Sequence, residues 1–259
     1  MAKSGETAEQ GRRVAAFPAP IRRLKLSDEA AIRIEALIQD GTFSPGTLLP
    51  SERELMKILG VGRTSIREAL YALNRMGLIR LRNGERPLVT TPTPETLLLE
   101  LAGAARYFLS QPDGALHFQD ARALFEVGIA RAAASRCTSE DIARLRTALE
   151  ANYSARGDLS RFERTDVAFH YALATTARNP IYTAVHDALV GWLTHQRTLS
   201  LRAPGAELAA LEGHQQIFEA VSNRNPDAAG EAMEKHLRSV AALIIQAKED
   251  AGYAAGHSC

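Results

Sequence analysis

Between Ser51 and Met76 the chain sets two short helical stretches only Val61 and Gly62 apart, and this arrangement limits its fold more than any other feature. Ser51-Glu52-Arg53-Glu54 is a capping box: the Ser51 hydroxyl accepts from the Glu54 amide while the Glu54 side chain reaches back. The helix it opens stops at Gly60, and the next, over about 63–76, turns Ile66, Leu70 and Leu73 inward. So short a turn fixes the second helix against the first, and its N-terminal residues then project outward. Upstream, Ser27 is the expected N-cap of a helix reaching about Asp40, with Ala31, Ile34, Leu37 and Ile38 on its apolar face. Downstream, Leu78–Leu81 and Leu88–Thr90 flank Asn83-Gly84, a hairpin signal because both residues tolerate positive φ. Three helices and a β-hairpin wing over residues 22–91 predict a winged helix-turn-helix.

Charge agrees with that reading once it is divided along the chain. The net charge of +1 hides 12 Lys+Arg against 8 Asp+Glu in residues 22–91, and 16 against 20 in residues 92–259. A basic front and an acidic back suit a polyanion-binding domain joined to something else. Arg63 and Arg67, four apart, share a helix face with Thr64 beside them. Arginine reads guanine edges or clamps phosphates, and threonine bonds a phosphate or touches a thymine methyl. Arg53 is placed to hold the DNA backbone, and Gly84 lets the wing tip approach the minor groove. A solvated helix face is the bland alternative for these arginines.

Beyond Pro92 and Pro94 the sequence predicts only helices, at about 95–110, 116–135, 139–155, 159–177, 180–201, 206–222 and 226–249. The expected organisation is a mobile arm over 1–21, the winged domain over 22–91, an all-α bundle over 92–250 and a flexible tail over 251–259. No apolar run approaches the roughly 18–20 residues of a membrane span, and the start MAKSGETAEQGRR lacks a signal-peptide core, so a cytoplasmic protein is expected. Cys137 and Cys259 cannot form a disulfide framework.

Within the bundle, Asp166 and His170 are four apart and project from one helix face, while His214 and His236 lie on two later helices. An aspartate oxygen with three imidazoles suits Zn2+ or Ni2+, with Mn2+ or Fe2+ as alternatives. By spacing alone, surface or capping roles fit these residues as well. His186 and His195, nine apart, point to different sides and read as packing or surface residues. The chain holds no Gly-x-Ser-x-Gly elbow, P-loop, dinucleotide fingerprint or His-Glu-x-x-His, so no enzyme is expected.

The string LPSERELMKILGVGRTSIREALYALNRMGLI closely resembles the DNA-binding domain of the GntR family of regulators. That resemblance implies operator contacts from Arg53, Arg63, Thr64, Arg67 and the wing glycine Gly84. Several relatives carry serine or threonine where Gly62 stands, so a contact from that position is lost here. The helical part is similar to the FCD ligand-sensing domain of the FadR-type subgroup. Asp166-Val167-Ala168-Phe169-His170, Glu212-Gly213-His214 and Lys235-His236-Leu237 match its metal-binding pieces, which implies a divalent metal, Zn2+ first, on Asp166, His170, His214 and His236. Arg122-Ala123-Leu124-Phe125-Glu126 matches a pattern whose arginine faces the effector cavity; a structural Arg122–Glu126 pair is the alternative. Asn179 before Pro180 matches the family's Asn-Pro turn, as an effector contact or as a turn residue only. Segments NGERPLVTTP, HFQDARALFE and FHYALATTARNPIYTAVHDALVGWL resemble a sialic-acid-responsive repressor of the same family. Together the resemblances imply a homodimeric repressor on two-fold operator DNA, controlled by a small carboxylate effector, a sialic acid or another sugar acid, at the metal. A different organic acid, an architectural DNA binder and a metal-dependent enzyme are the other readings.

Overall fold

The computed structural model describes residues 24–256, so the arm expected at 1–21 lies outside the described residues. The chain divides into two units, one made of residues 24–74 and 78–91, the other of 75–77 and 92–256.

The first unit holds α1 (Leu26–Gln39), α2 (Glu52–Leu59), α3 (Arg63–Arg75), β1 (Ile79–Arg80) and β2 (Leu88–Val89). Ser27 does not cap α1. The Asp28 and Glu29 amides donate to the Lys25 carbonyl, so the helix starts earlier and Ser27 is buried within it. The capping box of α2 forms as expected: the Glu54 amide donates to Ser51 Oγ at 3.3 Å, and Glu54 Oε2 accepts the Ser51 amide at 2.7 Å. Gly60 ends α2 at φ 68°, a left-handed position that glycine adopts without strain. The strands are antiparallel, Ile79 opposite Val89 and Arg80 opposite Leu88, and Leu48 bridges to Leu88 from the far side. Of Asn83 and Gly84 only the glycine has positive φ, at 78°. The tip is therefore closed by the Glu85 amide on the Arg82 carbonyl, and not by a two-residue turn with both residues left-handed. Ile34, Leu49, Ile66, Leu70, Leu73 and Ile79 fill the core between these elements.

The second unit is helical: α4 (Pro94–Leu99), α5 (Ala102–Leu109), α6 (Gly114–Arg136), α7 (Ser139–Tyr153), α8 (Leu159–Thr176), α9 (Pro180–Trp192), α10 (Thr194–Leu201), α11 (Ala206–Ser222) and α12 (Pro226–Gly256). Two expected helices are thus each divided, at residues 100–101 and at Leu193. The tail expected from residue 251 is instead helical to Gly256, in keeping with the helix-favouring Ala251, Ala254 and Ala255. Ala130, Ala133 and Ala134 on α6 let the neighbouring helices approach closely around Phe169, Leu173, Ile217 and Val221.

One connection is used twice. Arg178-Asn179-Pro180 and Arg224-Asn225-Pro226 both end a helix with a left-handed arginine, φ 54° and 52°. In both, asparagine then caps the next helix, Asn179 accepting from Ile181 at 3.0 Å and Asn225 from Ala228 at 3.1 Å, and proline opens it. The strained arginines are held by bonds to Asp141 and to the Cys137 carbonyl.

Candidate functional site

Five helices of the second unit bring polar side chains to one buried point. His170 from α8, His214 from α11 and His236 from α12 place ligand atoms within 4.8 Å of one another, and all three are buried. Each neighbour fixes a ring. Glu126 on α6 sets Oε2 2.6 Å from His170 Nδ1 and so draws that ring's proton to Nδ1. Asn152 on α7 sets Oδ1 2.9 Å from His214 Nδ1, while its own Nδ2 donates to the Phe162 carbonyl and Thr165. These partners assign the Nδ1–H tautomer to both rings, which leaves two bare Nε2 lone pairs facing each other at 3.2 Å. Phe169 stacks on His214 with ring centroids 4.4 Å apart and keeps it in place. Asp166 Oδ1 lies 3.4 Å from His214 Nε2.

Two neutral rings so placed repel unless a proton or a metal ion lies between the facing nitrogens. Imidazole nitrogens at the usual 2.0–2.1 Å from Zn2+ stand about 3.3 Å apart in a tetrahedral site, close to the separation seen. Burial holds the His214 and His236 imidazoles well below their ordinary pKa, so both keep their lone pairs at neutral pH. His236 Nδ1 is buried without a hydrogen-bond partner. The donor set therefore fits a borderline divalent ion.

A small cavity of about 20 Å³ adjoins these residues, lined by Arg122, Asp166, Arg197, Ser200, His236 and Ser239 among others. Arg122 is buried and its Nε donates to Glu126 Oε1 at 2.5 Å, so it makes the internal pair and lines the cavity as well. Burial alone would raise the Glu126 carboxyl, but the Arg122 charge and the hydrogen bond from His170 outweigh it and hold it well below the carboxylate range. Arg197, from α10, is buried beside Asp166, donating from Nη1 to Oδ2 at 2.7 Å.

Of the residues singled out in the sequence, Asp166, His170, His214, His236 and Arg122 meet here. Asn179 does not. It is not among the residues lining the cavity, and its side chain caps α9 as Asn225 caps α12. Asn152 and Arg197 had no sequence signal, each being a lone polar residue without a periodic partner. His186, read as packing, is buried with Nδ1 3.9 Å from Glu126 Oε1, and burial lowers its pKa to about 4; His195 is exposed.

In the first unit, Arg53, Arg63, Thr64, Arg67 and Gly84 are all exposed. A groove between the start of α3 and the wing is lined by Arg63, Arg67, Asn74, Arg82, Gly84 and Arg86 among others; Arg53 and Thr64 lie outside its lining. Glu52 sits 3.4 Å from Arg63 Nε and 3.9 Å from Arg67 Nε, and Arg67 Nη2 donates to the Tyr71 hydroxyl at 3.2 Å. Arg82 and Arg86 on the wing add positive charge that the sequence reading passed over.

Comparison with known proteins follows this division. Residues 26–89 match the family described as "Bacterial regulatory proteins, gntR family", and residues 118–239 match the FCD domain. The chain is 43% identical over 228 residues to the HTH-type transcriptional repressor NanR of Klebsiella aerogenes, covering 86% of each chain. It is 42% identical over 226 residues to the NanR repressor of Cronobacter sakazakii, covering 85% of this chain and 86% of the relative. Among solved structures it resembles a GntR protein of Streptococcus agalactiae with a TM-score of 0.60 and 26% identity, over 83% of this chain and 98% of that one. These families and relatives are transcription regulators and not enzymes.

Proposed function

The chain belongs to the GntR family of transcription regulators and carries an FCD domain, and from that premise we propose that it is a homodimeric repressor whose operator binding is controlled by a small carboxylate effector beside a divalent ion. The observation that carries this reading is the pair of facing Nε2 lone pairs on His170 and His214, each fixed by a neighbouring acceptor. His170, His214, His236 and Asp166 would hold the ion, Zn2+ first, with Ni2+ or Mn2+ as alternatives. Such an ion supplies a positive centre for an anionic effector. The chain's own part is to shape the cavity and to present Arg122, whose guanidinium pairs with a carboxylate in a site poor in water. The sequence resemblance to a sialic-acid-responsive repressor favours a sialic acid or another sugar acid.

Arg63, Arg67, Thr64, Arg53 and Gly84 would meet operator DNA in this reading, and Glu52 must release Arg63 and Arg67 as phosphates arrive. Two winged units must span a two-fold operator with fixed half-site spacing, which requires a dimer. The helical unit has apolar surface for that purpose: Leu124 is 83% exposed, and Tyr107, Phe108 and Leu116 are exposed as well. An effector alters DNA affinity only through a free-energy difference between DNA-competent and incompetent arrangements. No helix among the described residues is long and apolar enough to cross a membrane.

The test is elemental analysis of the purified protein together with calorimetric titration of N-acetylneuraminate into metal-loaded and chelated samples. Heat that needs the metal is the expected result. Stoichiometric metal without heat would remove the sialic acid and keep the metal site. A protein that takes up no divalent metal would overturn the reading.

A further inference from the structure

The cavity contains an arginine that the reading above leaves half used. Arg197 is 4% exposed, and only one end of its guanidinium is occupied, by the Nη1 bond to Asp166 Oδ2. Its Nε and Nη2 atoms are both buried and have no hydrogen-bond partner. These two atoms are not an arbitrary remainder. The N–H groups of Nε and Nη2 point in parallel from one edge of the planar guanidinium, and that edge matches the two oxygens of a carboxylate. Leaving one such donor buried and unpaired is costly, more so when it carries charge, so burying both on one edge favours a group that returns the bonds.

The surroundings limit what that can be. Arg197 lines the same cavity as Arg122, His236 and Asp166. The carboxylates that share the site are already engaged: Asp166 with Nη1 of Arg197, and Glu126 with Arg122 and His170. Thr198 Oγ1 donates to the remaining nearby acid, Glu163. No group among the described residues bonds to the free edge.

We propose that the Nε/Nη2 edge of Arg197 is the receptor for the effector's carboxylate, gripping both oxygens at once, with Nη1 held on Asp166. The inference deepens the effector reading above and rests on it. It makes Arg197 the residue that distinguishes a carboxylate from a neutral sugar of the same shape, and it links the anion to a proposed metal ligand through one rigid plane. A lysine at this position keeps the charge and can still reach Asp166, but it has no parallel pair of donors.

The experiment compares zinc-loaded full-length wild type with Arg197→Lys and Arg122→Lys by calorimetry. The probes are acetate, D-gluconate and N-acetylneuraminate, with sorbitol and the methyl ester of N-acetylneuraminate as uncharged counterparts. Arg197→Lys should weaken every carboxylate that the wild type binds by at least about tenfold, leave zinc affinity within a few-fold, and treat the uncharged probes as the wild type does. Carboxylates bound equally well by wild type and Arg197→Lys would overturn the assignment, as would a loss confined to Arg122→Lys or a wild type that binds no carboxylate at all. If gluconate depends on Arg197 while N-acetylneuraminate is silent, the fork stands and the sialic-acid identity falls. Should Arg197→Lys fail to fold, the arginine Nε–H resonances of the wild type decide. A signal that persists in Arg122→Lys must move with carboxylate and not with ester, and its failure to move overturns the proposal.

Discussion

Replacing Gly213 by alanine would put a methyl group 2.5 Å from His236 Nδ1, 2.9 Å from its Cγ and 3.0 Å from its Cβ. Nonbonded carbon and nitrogen rest near 3.5 Å, so the imidazole must retreat by about 1 Å. A metal site tolerates displacements of about 0.2 Å in a ligand distance. His236 is buried where α12 packs on α11, and a retreat of that size takes its nitrogen out of reach of the ion that His170 and His214 would share. Loss of a mere supporting contact typically costs 10–100-fold in metal affinity, and displacing a ligand should cost at least about as much. Overpacking should also remove about 1–3 kcal/mol of stability, offset in part by alanine's better helix propensity. Competition with a chromophoric chelator measures the first quantity and thermal melts of the chelated protein the second. Gly128→Ala is the control, because its added methyl meets nothing within 4 Å. If Gly213→Ala binds zinc as tightly as wild type, His236 is not a ligand in this arrangement and the three-histidine site is wrong.

Arg67→Ala should weaken operator binding by about 1–3 kcal/mol in a gel-shift or anisotropy titration if it reads a base; an unchanged affinity would refute that role. Glu126→Gln keeps the shape of the side chain but removes the charge that fixes the His170 tautomer, and zinc affinity should fall about 10–100-fold; equal affinity would reduce Glu126 to a partner of Arg122. His214→Ala should abolish zinc uptake and effector response while the winged unit still binds DNA, and a response that survives would end the metal-based reading. The chelated protein should lose stability as the pH falls from 6.5 to 4, because His186 stays neutral in the fold down to about pH 4 while an unfolded chain protonates at 6.5. That difference amounts to about 3 kcal/mol at pH 4, with His214 and His236 adding in the same direction. A melting temperature that is flat across this window would contradict the buried, neutral state of these imidazoles.

The winged unit was legible because its signals are local. Ser51 and Glu54 are three residues apart, Gly60 sits at the stop they imply, and Ile66, Leu70 and Leu73 mark one face of α3. Where local reasoning failed, a backbone bond from elsewhere decided the matter: the Lys25 carbonyl displaced Ser27 as the start of α1, and the Arg82–Glu85 bond closed the wing without help from Asn83. In the bundle the ligands could be found because a family pattern marks them, but their supports could not. Asn152 reaches His214 from 62 residues away, and Arg197 reaches Asp166 across 31. Neither spacing follows from helix periodicity. The division of one expected helix at Leu193 gives Arg197 a separate short helix, and only Gly191, two residues earlier, hints at it.

The charges at the site explain why a sensor is a better reading than a structural metal centre. Arg122 and Glu126 cancel, Arg197 and Asp166 cancel, and the His214 and His236 imidazoles add no charge because burial keeps them neutral. Without an ion the site is therefore balanced but poorly bonded, with lone pairs opposed and two guanidinium donors idle. A divalent ion relieves the lone pairs and leaves two uncompensated positive charges in a buried place, which is costly in a medium of low dielectric. A purely structural centre would be expected to supply a second carboxylate from the chain, and both nearby carboxylates are already paired with arginines. A carboxylate from solution would supply the missing acceptors for Arg197 and cancel one of those two positive charges. On the proposed reading the same imbalance would make carboxylate binding depend on the metal, a dependence that a chain closing its own charge would not show.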